Sequence, residues 1–177
     1  MKIGIDIDDV ICNTIPNIVT FYNKKYNKNI EFKDINSFNL WESGIGKNKK
    51  EIIKIVDEFD SEIGFENVEL LADVKQAVFE LSNNFDIFFI TSRLNKFHDK
   101  TENYFKKNFS NVNFKLIYAN DFHWHNGSKK KSEICKELGI DTFIDDNYDY
   151  VLDCSKEGIR CFLINKPWNK EYKENSG

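Results

Sequence analysis

Five short apolar runs punctuate the chain: KIGIDI at residues 2–7, FDIFFIT at 85–91, FKLIYA at 114–119, DTFID at 141–145 and IRCFLI at 159–164. They are rich in Ile and Phe and nearly continuous in apolar residues, the pattern of strands covered on both faces in a parallel sheet. Between them the period changes. LADVKQAVFELSNN sets Leu71, Val74, Ala77, Val78 and Leu81 along one helical face, with Asp73 adding negative charge near the first turn. SEICKELGI does the same with Ile134, Cys135 and Leu138, and ends at Gly139, where a left-handed closing residue fits. Helix and strand alternate from about residue 72 onward. That order predicts an α/β fold, a doubly wound parallel (Rossmann-like) sheet with right-handed crossovers and its ligand site beyond the carboxyl ends of the strands.

The interval from about residue 13 to 70 breaks the alternation. It holds helical stretches near NIVTFYNKKYN and KEIIKIVDEFD, separated by the aromatic, glycine-containing FNLWESGIG, and is too long for an ordinary connection. The expected organisation is a Rossmann-like core of residues 1–13 and 71–177 with a small helical cap, residues 14–70, inserted after the first strand. The chain shows no convincing internal repeat, and its Asn and Lys are spread too evenly to mark a linker.

Size and charge narrow the function. A chain of 177 residues builds one substantial core and a small subdomain, not two large domains. A net charge of −4 argues against a binder of polymeric nucleic acid, which would display a dominant basic face. The N-terminus passes straight from Met1 and Lys2 into a strand pattern, with no apolar segment long enough for a signal peptide or a membrane span, so a cytoplasmic protein is expected. Cys12, Cys135, Cys154 and Cys161 lack any C-x-x-C spacing and are expected to be reduced, mostly buried thiols.

The first apolar run ends in Asp6, Asp8 and Asp9. At about 4 Å and an effective dielectric near 20, each like-charge pair costs roughly 4 kcal/mol. A second acidic pair, Asp145 and Asp146, ends a later strand at what the sheet reading makes the same edge. A hard divalent cation holds such carboxylates ionised together, and magnesium suits an oxygen-only site with few protein ligands. Thr91 ends the run IFFIT, and Lys131 lies in the KKK run that leads into SEICKEL. A hydroxyl with neighbouring backbone N–H groups binds phosphoryl oxygens, and an ammonium neutralises charge that shifts during transfer, so the set describes a phosphoryl-transfer site.

The segments DIDDV, FFITSR, a lysine before a helix and FIDDN, in this order and at successive strand ends, resemble the phosphotransferases of the haloacid dehalogenase superfamily over most of the chain. Within it, the insertion after the first strand, TSR, IDDN and the terminal INKPWN resemble the 5′(3′)-deoxyribonucleotidase-like family. The resemblance implies a magnesium-dependent phosphomonoester hydrolase, a 5′-nucleotidase of deoxyribonucleotidase type, acting on a small phosphorylated substrate such as a nucleoside monophosphate. It maps the nucleophile to Asp6, which forms an aspartyl-phosphate, and the acid and base to Asp8. It gives magnesium the Asp6 carboxylate, the Asp8 backbone carbonyl and Asp146, with Asp145 as ligand or supporting partner. Thr91 would hold a phosphoryl oxygen, Lys131 would bridge phosphate and Asp6, and Ser92 or Arg93 would contact phosphate or sugar. The choice of Lys131 over Lys129 and Lys130 rests on its adjacency to the helix start. One departure is Asp9, where the family commonly has glycine; aspartate tolerates unusual backbone angles better than most residues.

Phe21, Phe38 and Trp41 in the insertion are candidates to stack on a base, against the more ordinary reading of helical aromatic residues as core. His123 and His125, two apart, are spaced to share a metal, although a loop role is the plainer reading beside Asn126-Gly127. Three alternatives stay open: a phosphatase for a non-nucleotide metabolite, a non-catalytic metal- or nucleotide-binding module on the same fold, and a phosphoacceptor receiver domain, whose motif order differs. Monomer and homodimer are equally compatible with the sequence.

Overall fold

The structure, a computed structural model, describes residues 1–119 and 129–173. Five strands, β1 (Lys2–Ile5), β2 (Asp86–Thr91), β3 (Phe114–Tyr118), β4 (Thr142–Asp145) and β5 (Arg160–Leu163), form one sheet in the order β3-β2-β1-β4-β5, with every pairing parallel. Six α-helices accompany them: α1 (Thr14–Tyr26), α2 (Lys49–Glu62), α3 (Val74–Ser82), α4 (His98–Asn108), α5 (Lys131–Leu138) and α6 (Tyr148–Lys156). Among the described residues no helix is long and apolar enough to cross a membrane.

By packing, the chain divides into two units: Met1–Cys12 with Leu70–Ile164, and Asn13–Glu69 with Asn165–Gly177. The sheet and α3 to α6 belong to the first unit. The stretch from Asn165 onward, expected in the core, groups instead with the insertion. The ring of Trp168 meets Phe32 edge-on at 5.8 Å, and apolar burial of that aromatic pair outweighs the adjacency of the stretch to β5.

Within the first unit, β2 explains the unbroken apolar pattern. Phe88 and Ile90 enter a cluster with Ile134, Cys135, Ile140, Phe143, Cys154 and Ile159. On the alternate positions, Phe89 lies 4.5 Å from Phe105 of α4 and 5.5 Å from Phe109. Both faces of this strand are therefore covered, and burying each such side chain contributes about 1.5–3 kcal/mol. At β1, Gly4 leaves room for side chains of the neighbouring strands: a Cβ there would come to 3.0 Å from Ile90 Cδ1 and Phe143 Cδ2, so these would have to give way. The outer strands depart from the expectation: β3 and β5 are only half-buried, and Phe162 is exposed, because an edge strand has a neighbour on one side alone. Helix α3 departs as well. It begins at Val74, buries Val78 and leaves Ala77 exposed, while Asp73 stands at the N-cap position, next to the first turn, at φ 61°.

The second unit is built on α1 and α2. Phe21 of α1 meets Phe59 of α2 at 5.7 Å, and Phe59 meets Phe65 at 5.4 Å. Asn48 caps α2 by accepting the Glu51 N–H at 3.1 Å, and the Tyr22 hydroxyl accepts the Gly46 N–H at 3.2 Å.

Candidate functional site

The sheet order decides which strand ends meet. The chain places β2 and β3 on one side of β1 and β4 and β5 on the other, so β1 and β4 flank the point where the order reverses, where open α/β sheets bind ligands. Asp6 follows β1 and Asp145 ends β4; the Asp6 N–H donates to the Ile144 carbonyl at 2.9 Å, extending the ladder to the site. Oxygens of Asp6, Asp145 and Asp146 lie within 4.8 Å of one another, all three residues buried.

Lys131 is drawn into this cluster. It is the first residue of α5, set by the Lys130 N–H, which donates to the Glu133 carboxylate at 2.9 Å. Its ammonium donates to Asp6 at 2.5 Å and to Asp145 at 2.8 Å, and the residue is only 2% exposed. Lys129 and Lys130 turn outward instead, to Glu137 and Asp153. Burial works against the charge of Lys131, but Asp145 and then Asp6 outweigh it and hold its pKa well above the usual value. Burial pushes the Asp6 carboxyl up to about 7, with Lys131 pulling it down and Asp145 and Asp8 pushing it further up. Burial, then Asp145, Asp6 and Asp9, holds Asp146 well above the carboxylate range.

Within the Asp145–Asp146 pair, both carboxylate oxygens of Asp145 are engaged. Asp145 accepts Lys131 on Oδ2 and the Asn147 N–H on Oδ1, each at 2.8 Å. Asn147 in turn caps α6, accepting the Asp149 N–H at 2.9 Å. The donor set is all oxygen and carries more negative charge than one lysine balances, which fits a small hard divalent cation such as magnesium.

Thr91, fully buried at the end of β2, accepts the Arg93 N–H on its hydroxyl at 3.1 Å. The Ser92 hydroxyl donates to the Tyr150 hydroxyl at 3.3 Å, and the Tyr150 ring lies 4.6 Å from the Lys131 ammonium. Arg93 is buried, and its side chain reaches Asp8: Nη2 donates to Oδ1 at 2.7 Å and Nε to Oδ2 at 3.0 Å. Its Nη1 donates to Thr101 at 3.2 Å, and Nη2 also to the Cys12 sulfur at 3.6 Å. In these contacts Arg93 serves a carboxylate, where the sequence suggests phosphate or sugar. Asp9 adopts φ 61°, the left-handed region that favours glycine.

The three aromatic candidates belong to the second unit. Phe21 is buried there, its ring meeting that of Phe59 edge-on. Phe38 is 39% exposed and Trp41 half-buried, in and beside the short turn Leu40–Ser43. His123, His125 and residues 174–177 lie outside the described residues. Sequence reasoning missed Asn147, Tyr150, Thr101 and Cys12. Asn147 carries a readable signal, an Asn just before a helical run; the others are defined only by tertiary contact.

The chain matches the family described as 5′ nucleotidase, deoxy (pyrimidine), cytosolic type C protein over residues 1–175. A nucleotidase of Clostridium acetobutylicum is 33% identical over 103 residues, 58% of this chain and 50% of that protein, so the matched stretch spans about half of the relative's length. In fold, the chain resembles a haloacid dehalogenase-like hydrolase of Streptococcus pneumoniae, with a TM-score of 0.66 at 15% identity over 93% of this chain and 84% of that one. It also resembles a haloacid dehalogenase family enzyme of Bacteroides thetaiotaomicron, solved with magnesium and inorganic phosphate, with a TM-score of 0.51 at 14% identity over 97% and 98% of the two chains. The chain belongs to the 5′ nucleotidase, deoxy (pyrimidine), cytosolic type C family, and its fold is that of haloacid dehalogenase-like hydrolases.

Proposed function

We propose that this chain hydrolyses nucleoside 5′-monophosphates, deoxyribonucleotides among them, through a phosphoryl ester formed on Asp6. The observation that carries the reading is the convergence of Asp6, Asp145 and Asp146 on one buried cluster with Lys131 at its centre. The family description supports the nucleotide part.

In this reading an Asp6 oxygen attacks phosphorus and displaces the substrate alkoxide, which takes its proton from Asp8. A water molecule then attacks the phosphoryl group on Asp6; Asp8 accepts its proton, and the bond to Asp6 breaks, releasing phosphate. Lys131 orients Asp6 and offsets negative charge as the phosphoryl group transfers. The Thr91 oxygen accepts a backbone N–H, so its own O–H is the group to donate to a phosphoryl oxygen. Asp6, Asp146 and the Asp8 backbone carbonyl would hold magnesium, with Asp145 kept for Lys131 and the Asn147 N–H. The ion supplies charge neutralisation at the phosphoryl oxygens and keeps the carboxylates ionised together.

The test is a phosphate-release screen across deoxy- and ribonucleoside monophosphates, sugar phosphates and phospho-acids, with and without magnesium. Nucleoside monophosphates should lead the screen, and Asp6→Asn should release nothing. Full activity of purified Asp6→Asn would end the reading, and a sugar phosphate as the best substrate would end its nucleotide part.

A further inference from the structure

Arg93 belongs to the same strand-end loop as Thr91 and Ser92, and its guanidinium closes on Asp8, 85 positions away in the chain. Two separate nitrogens reach the two carboxylate oxygens, Nη2 to Oδ1 at 2.7 Å and Nε to Oδ2 at 3.0 Å. Such a fork fixes both the position and the plane of the carboxylate, which a single point charge does not. The arginine is itself fixed: it is 3% exposed, and the Thr101 hydroxyl on α4 takes Nη1 at 3.2 Å while the Cys12 sulfur takes Nη2 at 3.6 Å. The Asp8 side chain, by contrast, is 31% exposed and needs an external hold to keep one direction.

We infer that Arg93 is a positioning residue for the second half of the reaction, aiming the Asp8 carboxylate at the water that hydrolyses the phosphoryl group on Asp6. This rests on the phosphoryl-ester reading above. In that step the water oxygen bonds to phosphorus, its proton passes to Asp8, and the phosphorus–oxygen bond to Asp6 breaks, so no other reactant is needed. A guanidinium has only donors to give, so both oxygens it grips are acceptors, the role this step asks of Asp8. A lysine in the same place keeps the charge but loses the fork.

The test compares wild type with Arg93→Lys on 4-nitrophenyl phosphate, whose leaving group departs without needing the proton that Asp8 gives a nucleoside. On that substrate loss of aim slows only the step after release, so kcat should fall by about tenfold to a hundredfold while kcat/KM stays within about threefold. The first turnover should then appear as a burst of 4-nitrophenol matching the enzyme concentration. Thr101→Val, which removes one support of Arg93 and no charge, should show the same split in smaller measure, and it carries the test if Arg93→Lys does not fold. A kcat/KM that falls as far as kcat, or a rise in KM alone, would place Arg93 on the substrate or in the fold and overturn the inference, as would unchanged kcat. A wild type that turns over no phosphomonoester would instead remove the reading on which it rests.

Discussion

The ammonium nitrogen of Lys131 lies 2.5 Å from a carboxylate oxygen of Asp6, although 125 positions separate the two residues in the chain. The same nitrogen is 2.8 Å from Asp145, so one buried cation stands between two buried anions. Removing it should leave charge uncompensated in a poorly solvated site, which costs about 3–5 kcal/mol. Lys131→Met is expected to lower the urea midpoint accordingly and to abolish phosphate release. Lys130→Met, whose side chain pairs at the surface with Asp153, should change stability by less than about 1 kcal/mol. Equal effects of the two substitutions would remove Lys131 from the centre of the site.

Magnesium should stabilise the folded chain by mass action, by about 2.7 kcal/mol when present at a hundred times its dissociation constant. A thermal melt with and without the ion reads this directly, and chelation should remove activity reversibly. Asp146→Asn should lose the rise in Tm. Asp8→Asn should keep it, because the site would draw on the main-chain carbonyl of that residue while its carboxylate is held by Arg93. A full magnesium response in Asp146→Asn would exclude that residue as a ligand.

Much of this site was readable because it lies where apolar strands stop. Asp6, Thr91 and Asp145 each end or follow a buried strand, and a parallel sheet must bring such ends to one edge. Lys131 was separable from its neighbours by its place at a helix start. What the sequence hid was lateral. The grip of Arg93 on Asp8 joins two strand-end loops, and only the adjacency of β1 and β2 brings them together; no spacing along the chain encodes it. Phe21 was ambiguous for another reason. An aromatic residue at helical spacing looks the same whether its ring meets a base or Phe59, and only packing decides. The grouping of Trp168 with Phe32 likewise depends on a contact between segments far apart in the chain.

The second unit carries a pH-sensitive contact of its own. The Tyr26 hydroxyl donates to Glu58 at 2.5 Å, and Lys25 pairs with the same carboxylate at 3.0 Å. The Tyr26 hydrogen bond first, then Lys25, holds the Glu58 carboxyl below its usual 4.5. A carboxylate lowered on folding stabilises above its unfolded value, and that gain is lost as pH falls through the folded value. Tyr26→Phe should therefore cost about 0.5–1.5 kcal/mol at neutral pH. In urea titrations against pH, the gap between wild type and variant should close below the ordinary glutamate range. A gap that stays constant into strong acid would show that the loss comes from packing and not from the charged hydrogen bond.

Asp9 allows the backbone of the first motif to be tested apart from its charge. It sits at φ 61°, and its N–H donates to the Cys12 carbonyl at 2.8 Å within the turn that follows Asp8. Glycine enters this left-handed region freely, whereas a Cβ costs about 1–2 kcal/mol there. Asp9→Gly and Asp9→Ala both remove the carboxylate and whatever it touches, so the difference between them isolates the backbone. Glycine's greater freedom in the unfolded chain subtracts part of the gain. Asp9→Gly should come out more stable than Asp9→Ala by about 1 kcal/mol in urea denaturation. Both variants should retain Asp6-dependent hydrolysis, because both keep Asp6, Lys131 and the Arg93–Asp8 pair. An alanine variant as stable as the glycine variant would mean that the turn relaxes out of the left-handed region once the aspartate is gone.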